Sequence, residues 1–460
     1  MPHAQRPSRD LHVHDEETAE AKADAEASTE EDAAHHGHPP VSASLIWVLS
    51  ILSGVTVANL YYANPLLELL RESFDVDEYR AASINALLQG GYCAGLLFVT
   101  PLGDLLPRKH LILTLVFTCG LLSLGLAYAP FLAFQTLSFV MGVATVAPQI
   151  IIPLTADLSA PQVMGSNVGK VLSGTQIGIL LARVLSGVLA DHITYHGVFL
   201  LAGGLQLVLA LIVVWLMPAV PRNNNDMSLW EVYKSCWVLL TREPKLQQCS
   251  IIALLCYASF ATFWTTSTFL LANDPYHYTS TQIGLLGLAG ISGTLFAAVG
   301  GKLADHIGGS FFVILIGIVF KLIAWTMAVL FGTRHIAAPI VAAFCLDGGR
   351  RMQQLANQLR VYTISSTARS RVNAVYMIIG YSGTFIGSLV GTACWVAGGW
   401  TLVCGAGFSM VGAALVAWAA WNEQGRFRLS EWYRRYRYRQ KPRGGDVVSG
   451  VATEEKGILA

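Results

Sequence analysis

The sequence predicts an all-α fold, a polytopic membrane protein of twelve transmembrane helices in two six-helix pseudo-repeats. Three observations carry that prediction. Of the 460 residues 53% are hydrophobic and 13% charged, whereas a water-facing surface is normally about a quarter charged. Apolar runs long enough to cross a bilayer recur along the whole chain, and its two halves share short signatures at similar offsets.

A run must hold roughly 20 apolar residues to cross a ~30 Å hydrocarbon core. By that measure spans lie at 44–68, 82–102, 111–128, 131–156, 166–189, 197–217, 248–272, 281–303, 311–331, 336–360, 374–396 and 400–421. The polar stretch Pro218 to Lys245 is the longest break between them. It divides the chain into an N-terminal bundle over 44–217, a cytosolic linker over 218–246 and a C-terminal bundle over 247–421. Within the linker Trp230, Tyr233, Trp237 and Leu240 recur at helical spacing, which predicts a helix lying on the membrane surface. Residues 1–43 hold ten acidic side chains against Arg6, Arg9 and Lys22 and no secretory signal, so they read as a disordered cytosolic tail. The tail over 422–460 is basic. Its arginines interleave with Trp432, Tyr433, Tyr436 and Tyr438, a mix that suits an anionic lipid surface better than nucleic acid.

Orientation follows from short-loop charges. With the N-terminus cytosolic, inner loops carry Arg108, Lys109, Lys170, Arg222, Lys234, Arg242, Lys245, Lys302, Arg369 and Arg371, against Arg71, Arg80 and Arg334 outside. Both termini are therefore expected in the cytosol, at the plasma membrane or, alternatively, a vacuolar membrane. Seven of the eight cysteines fall inside spans without metal-ligand spacing, and His35, His36 and His38 read as part of a solvated tail. No metal or cofactor is expected. The chain also lacks a phosphate loop, a nucleophile elbow and a His-Glu-x-x-His motif, which argues against an enzyme.

Leu102-Gly103-Asp104 after span two corresponds to Leu303-Ala304-Asp305 after span eight, a shift of 201 residues. Ser173-Gly174-Thr175 with Gly178 in span five corresponds to Ser382-Gly383-Thr384 with Gly387 in span eleven, a shift of 209. Similar offsets imply a tandem repeat. With the loop residues Gly301, Leu303, Ala304, Asp305 and Gly308, and Asp104, Arg108 and Lys109 in the first half, the chain over 44–421 resembles the major facilitator superfamily. A closer resemblance, to a microbial drug:proton antiporter-like branch, rests on several further matches. These are Asn59-Leu60-Tyr61-Tyr62 with Pro65, Pro148-Gln149 with Pro153 and Asp157, Ile179 to Arg183, and Asp347, Asn357-Gln358 and Ala368-Arg369-Ser370-Arg371. Two departures set antiport behind transport in general: Ser138 stands where the superfamily usually has an arginine, and Gly178-Ile179 replaces the antiporter Gly-Pro step.

The resemblance implies that spans one, four, seven and ten line a central cavity around which the halves rock. Charged or polar residues at mid-span are then the candidates for substrate and proton binding, because a buried charge costs about 2.5 to 3.5 kcal/mol on insertion scales. Asp347 is the first choice as proton site. Arg350 and Arg351, three and four residues on, can hold it ionised or bind an anion themselves. Asn59 and Tyr62 share a face in span one, and Gln149 follows a proline that loosens span four. Tyr257, Phe260 and Trp264 form an aromatic stripe suited to a flat or apolar solute. Arg183 and Lys321 are expected to snorkel to the headgroups, with anion steering as the other role for Arg183. Asp104, capping span three, Arg108 paired with Asp157, and Asp305 in the mirrored position form the expected gate.

The resulting expectation is a secondary active transporter of a small organic compound such as a drug, metabolite or organic acid, driven outward by protons. Uptake or exchange of an organic anion is the first alternative, favoured if Arg350 and Arg351 face the cavity. A non-transporting solute sensor is the second.

Overall fold

The computed structural model describes residues 42–159, 163–217, 228–306, 309–365 and 369–421. The acidic tail with its three histidines and the basic aromatic tail lie outside the described residues. The first half comprises α1 (Ala43–Ala58), α2 (Leu67–Phe74), α3 (Glu78–Phe98), the short α4 (Leu102–Leu105), α5 (Arg108–Tyr128), α6 (Phe131–Ala144), α7 (Ala147–Leu158), α8 (Met164–Ile193) and α9 (Tyr195–Leu216). The surface helix α10 (Leu229–Arg242) follows. The second half comprises α11 (Pro244–Ala272), α12 (Ser280–Leu285), α13 (Ile291–His306), α14 (Ser310–Phe331), α15 (Ala337–Tyr362) and α16 (Arg369–Ala420).

Local chemistry sets the boundaries. Asp77 caps α3 by accepting from the Arg80 amide at 2.7 Å, and capping boxes start α10 at Ser228 with Glu231 and α12 at Thr279 with Gln282. Asn59 to Pro65 interrupts the first span: α1 ends at Ala58, a turn follows, and Asn64–Leu66 forms a 3-10 turn that leads into α2. Thr145 and Val146 likewise separate α6 from α7. Near the end of the chain the helical path breaks at Gly398 and Gly399, the latter at φ +62°, a left-handed conformation that favours glycine. Residues 369–397 and 400–420 thus form two helices, where the sequence places spans eleven and twelve.

Among the described residues, eight helical stretches are long and apolar enough to cross a membrane: Glu78–Phe98, Arg108–Tyr128, Phe131–Leu158, Met164–Ile193, Tyr195–Leu216, Pro244–Ala272, Ser310–Phe331 and Arg371–Ala420. The shortfall against twelve has physical causes. The 16-residue α1 is cut short by the turn at Asn59, a 3-10 segment over Leu286–Gly290 splits α12 from α13, and the two helices of α16 follow one another across Gly398 and Gly399 with no loop between them. The fourth case is α15, which carries Asp347, Arg350, Arg351 and Arg360. The surface is inverted relative to a water-soluble protein. Leu132, Leu211, Trp215 and Val416 point outward, while α11 buries Thr262, Thr265, Thr266, Ser267 and Thr268. That pattern fits lipid outside and hydrogen-bonding partners inside. Thr266, for one, donates to the Thr262 carbonyl at 2.7 Å.

The repeated Ser-Gly-Thr segments do the same packing work in each half. A Cβ on Gly178 of α8 would stand 2.2 Å from the Gly54 carbonyl oxygen of α1, and one on Gly387 of α16 would stand 2.0 Å from that of Ala258 on α11. Glycine thereby lets the two backbones touch. Buried apolar side chains form one cluster drawn from Leu45 to Met217 and another drawn from Ile252 to Ala417. Bridging them is α10, whose Tyr233 hydroxyl donates to the Leu97 carbonyl at 2.9 Å, while Arg371 donates to Ser235 at 2.6 Å. Burial pushes the Tyr233 phenol above its ordinary range, so it stays a neutral donor.

Gly178→Val and Gly387→Val should each overpack a helix contact at a cost of about 1 to 3 kcal/mol. Thermal unfolding of the detergent-purified protein checks this: both variants should melt below the parent, and an unchanged midpoint would mean the helix pairs are not in contact.

Candidate functional site

Three arginines meet where the two halves join, two of them buried and Arg351 half-buried. Arg183 lies about two-thirds of the way along α8, with 2% of its surface exposed, and Arg350, at 4%, sits with Arg351 in the middle of α15. The Arg183 guanidinium carbon stands 3.6 Å above the Trp264 ring of α11 and 5.1 Å from that of Tyr61. Arg350 stands 4.4 Å above Phe260 and 5.5 Å from Tyr257, also on α11. Cation-π contact holds the faces of both groups. Their edges are free: Nε and Nη2 of Arg183, Nε of Arg350 and Nε of Arg351 are buried without a hydrogen-bond partner. Arg351 does donate from Nη1 to Gln354 at 3.2 Å.

Asp347 is 6% exposed and accepts from the Trp264 indole at 3.1 Å. Among the described residues no ion pair joins it to an arginine, a correction to the expected pairing along α15. The Arg350 head is drawn instead to the aromatic faces of Phe260 and Tyr257 on α11 of the same half. Asp347 Oδ1 and Arg183 Nη1 nonetheless lie 3.9 and 4.0 Å from where a Cβ on Gly290 would stand, so the carboxylate and that guanidinium are near neighbours.

Snorkelling is overturned for both arginine and lysine. Arg183 points inward to Trp264, and the fully buried Lys321 donates to Gln353 at 2.6 Å, behind α15. The rest of the predicted set divides. Tyr257, Phe260 and Trp264 reach the arginines, as does Tyr61 rather than its neighbour Tyr62. Because α1 stops at Ala58, Asn59 and Tyr62 leave the helical register and line a small void inside the first half with Ser123 and Ser138. Asn59 donates there to Gln206 at 3.1 Å. Gln149 donates to the Tyr92 hydroxyl at 2.9 Å.

Sequence reasoning missed Tyr92, Tyr381 and Gln176. The Tyr381 ring lies 4.7 Å from that of Tyr92 and 5.7 Å from that of Tyr257, edge-on to both. Gln176 of α8 keeps its carbonyl oxygen unpartnered, with its amide nitrogen and Arg351 Nε both close to Gly293. A usable signal was present for Arg183: on a helix whose glycines must face a neighbour, a charge one turn from Gly187 faces the same way.

The two faces of the bundle differ. On the face away from the two chain ends the halves are sealed. Asn85 donates to Thr265 at 2.8 Å, Thr268 to the Asn64 carbonyl at 2.9 Å, the Thr281 amide to Asp191 at 2.8 Å and Trp395 to Glu78 at 2.7 Å. A Cβ on Gly187 of α8 would fall 2.3 Å from the Ser280 carbonyl oxygen at the start of α12. On the face that carries the chain ends, a cleft of about 400 Å³ opens between the halves, lined by Gln149, Pro153 and Val168 on one side and Tyr362, Asn373 and Met377 on the other. Tyr92 and Tyr381 stand between this cleft and the arginines.

Of the expected gate, Arg108 pairs with Asp157 at 2.5 Å and donates to the Gly103 carbonyl at 3.1 Å. Asp104 belongs to the separate helix α4, one turn ahead of α5, which begins after Pro107. The side chains of Asp104 and Asp305 lie outside the described residues.

A helical bundle with an apolar exterior, an interface cleft open on one face only and charge buried at its centre is the build of a membrane transporter. The model of the Major Facilitator Superfamily matches residues 47–387, and the chain belongs to that family. It is a membrane transporter of that type and not an enzyme. An uncharacterized transporter, YgaY, of Escherichia coli O157:H7 is 34% identical over 379 residues, 82% of this chain and 95% of that one. A Streptomyces coelicolor protein described as a probable transporter is 28% identical, covering 81% of this chain and 86% of its own. Solved structures share the fold. The nucleoside transporter NupG superposes with a TM-score of 0.64 at 16% identity, over 82% of this chain and 98% of its own. A peptide transporter in complex with alafosfalin gives 0.65 at 14%, over 84% and 97%.

Gly187→Val should force α8 from α12 and open the sealed face. With Cys93, Cys236 and Cys394 replaced, Thr268→Cys should resist a maleimide in the parent and react at least about tenfold faster beside Gly187→Val, since about 1.4 kcal/mol already shifts a two-state equilibrium tenfold. Equal labelling of the two would remove Gly187 from the seal.

Proposed function

We propose that the protein is a secondary transporter of a small organic anion, crossing the membrane twelve times with both ends cytosolic, at the plasma membrane. The single observation that carries this reading is the meeting of Arg183, Arg350 and Arg351 where the halves join, with Nε of all three and Nη2 of Arg183 buried without an acceptor. Breaking a buried ion pair by removing one partner costs about 3 to 5 kcal/mol, and three guanidinium groups beside one carboxylate are in that position. An oxyanion relieves it, because carboxylates match the in-plane fork of arginine bidentately.

Twelve crossings are reached if α1 with α2, α12 with α13, α15 and the second helix of α16 span alongside the long apolar stretches. The linker over 218–246 then joins two six-helix units, and the equivalent glycine contacts Gly178 to Gly54 and Gly387 to Ala258 support a repeat. Short-loop charges favour a cytosolic cleft, so the solute enters from inside and passes Tyr381, whose ring must leave that of Tyr92. Arg108 with Asp157, and Asp104 and Asp305 in mirrored loops, would steady the open face.

Proton-driven export of an uncharged or cationic compound through Asp347 is the less supported reading. Asp347 accepts from the Trp264 indole at 3.1 Å, so one of its oxygens is already engaged by the protein itself. Flux assays in proteoliposomes separate the readings. Uptake of a labelled organic anion should fall by about a hundredfold in Arg350→Gln, from the loss of a charge-assisted hydrogen-bond pair, and survive both a protonophore and Asp347→Asn. Flux abolished by the protonophore and by Asp347→Asn would establish proton coupling instead, and binding without flux would make the protein a sensor.

A further inference from the structure

We infer that the site takes a dianion, a short dicarboxylate that lays one carboxylate against Arg350 and Arg351 of the second half and the other against Arg183 of the first. This rests on the anion reading above and adds to it the charge, the length and the role of the solute.

Charge comes first. Arg183, Arg350 and Arg351 stand near Asp347 alone among the described carboxylates, a formal excess of two before any other cation is counted. Lys321, fully buried and donating to Gln353 at 2.6 Å, adds to that excess rather than offsetting it. A dianion therefore leaves less of the positive charge uncompensated than a monoanion does. Geometry comes second. The Phe260 and Trp264 rings that carry Arg350 and Arg183 have centroids 6.3 Å apart on the same helix, so the two guanidinium groups are held by successive rings of α11 and not by one. Their faces are taken by the rings and only their edges are open, on Arg183 at Nε and Nη2 and on Arg350 and Arg351 at Nε. Two separated in-plane forks call for two oxyanion groups with a spacer between them, and the spacer would lie along Phe260.

Placement comes third. Arg183 belongs to α8 and the pair to α15, so a solute that engages both ties one half to the other. The Gln176 amide nitrogen and Arg351 Nε both approach Gly293 across the same seam, and the Gln176 carbonyl oxygen is unpartnered. Binding of a dianion therefore draws the halves together at mid-depth, while a monoanion engages one half only.

The test uses the full-length protein in detergent at constant ionic strength, with thermal stabilisation as the readout of binding. Succinate, glutarate and adipate are compared with butyrate and valerate. The expected result is that one or more diacids stabilise at concentrations at least about tenfold below any monoacid, a charge-assisted fork being worth that much. Arg183→Gln should then bind the best diacid and valerate alike, and Arg183→Lys, which keeps the charge and loses the fork, should weaken the diacid yet preserve its advantage. Equal stabilisation of the parent by monoacids and diacids would overturn the bridge and leave the anion reading standing. Stabilisation by none of the five acids would overturn both. A diacid advantage that persists in Arg183→Gln would overturn the assignment of the second arm to Arg183.

Discussion

The arrangement depends on guanidinium groups being stacked rather than paired. Arginine buried in a lipid-embedded bundle ordinarily finds a carboxylate, and here the nearest one, Asp347, is engaged by the Trp264 indole. The rings of α11 supply the attraction that keeps Arg183 and Arg350 inside. Because a ring can satisfy only the face of a guanidinium, each arginine is fixed in place while its hydrogen-bonding edge stays available. Position and vacancy of those donors come from the same contact.

That contact also explains why one helix matters more than its neighbours. On α11, Tyr257, Phe260 and Trp264 run in order from the cleft side to the sealed side, and Thr265 and Thr268, next along it, make the seal with Asn85 and Asn64. A rotation of α11 that disturbed the arginines would disturb the seal as well. Solute binding and closure of the far face thus share a single rigid element, which is how a local event can move a whole half.

Much of this was legible in the sequence. Length and apolarity found the apolar helices and helical spacing found the surface helix of the linker, because the bilayer imposes its thickness directly on composition, whereas the turn after Ala58 fell inside a span read as continuous. The aromatic stripe and Asp347 with Arg350 and Arg351 were visible as side chains out of place in an apolar span. What could not be read was partnership. Arg183 and Lys321 look alike on paper, each one charge in a hydrophobic run, yet one meets aromatic rings and the other an amide. Tyr61 and Tyr62 are adjacent, and only the turn after Ala58 decides which of them reaches the centre. The gate is the exception: Arg108 and Asp157 are 49 residues apart, yet the resemblance paired them and the structure pairs them too.

The surface helix α10 carries a mechanical consequence. Fastened by Tyr233 to the last turn of α3 and by Ser235 to the first turn of α16, it crosses the mouth of the cleft like a tether of fixed length. Its anchors sit two residues apart on a stiff rod, so the mouth can widen only as far as those two bonds stretch. A longer excursion must release one of them, so the strap limits how far those two anchored turns can part.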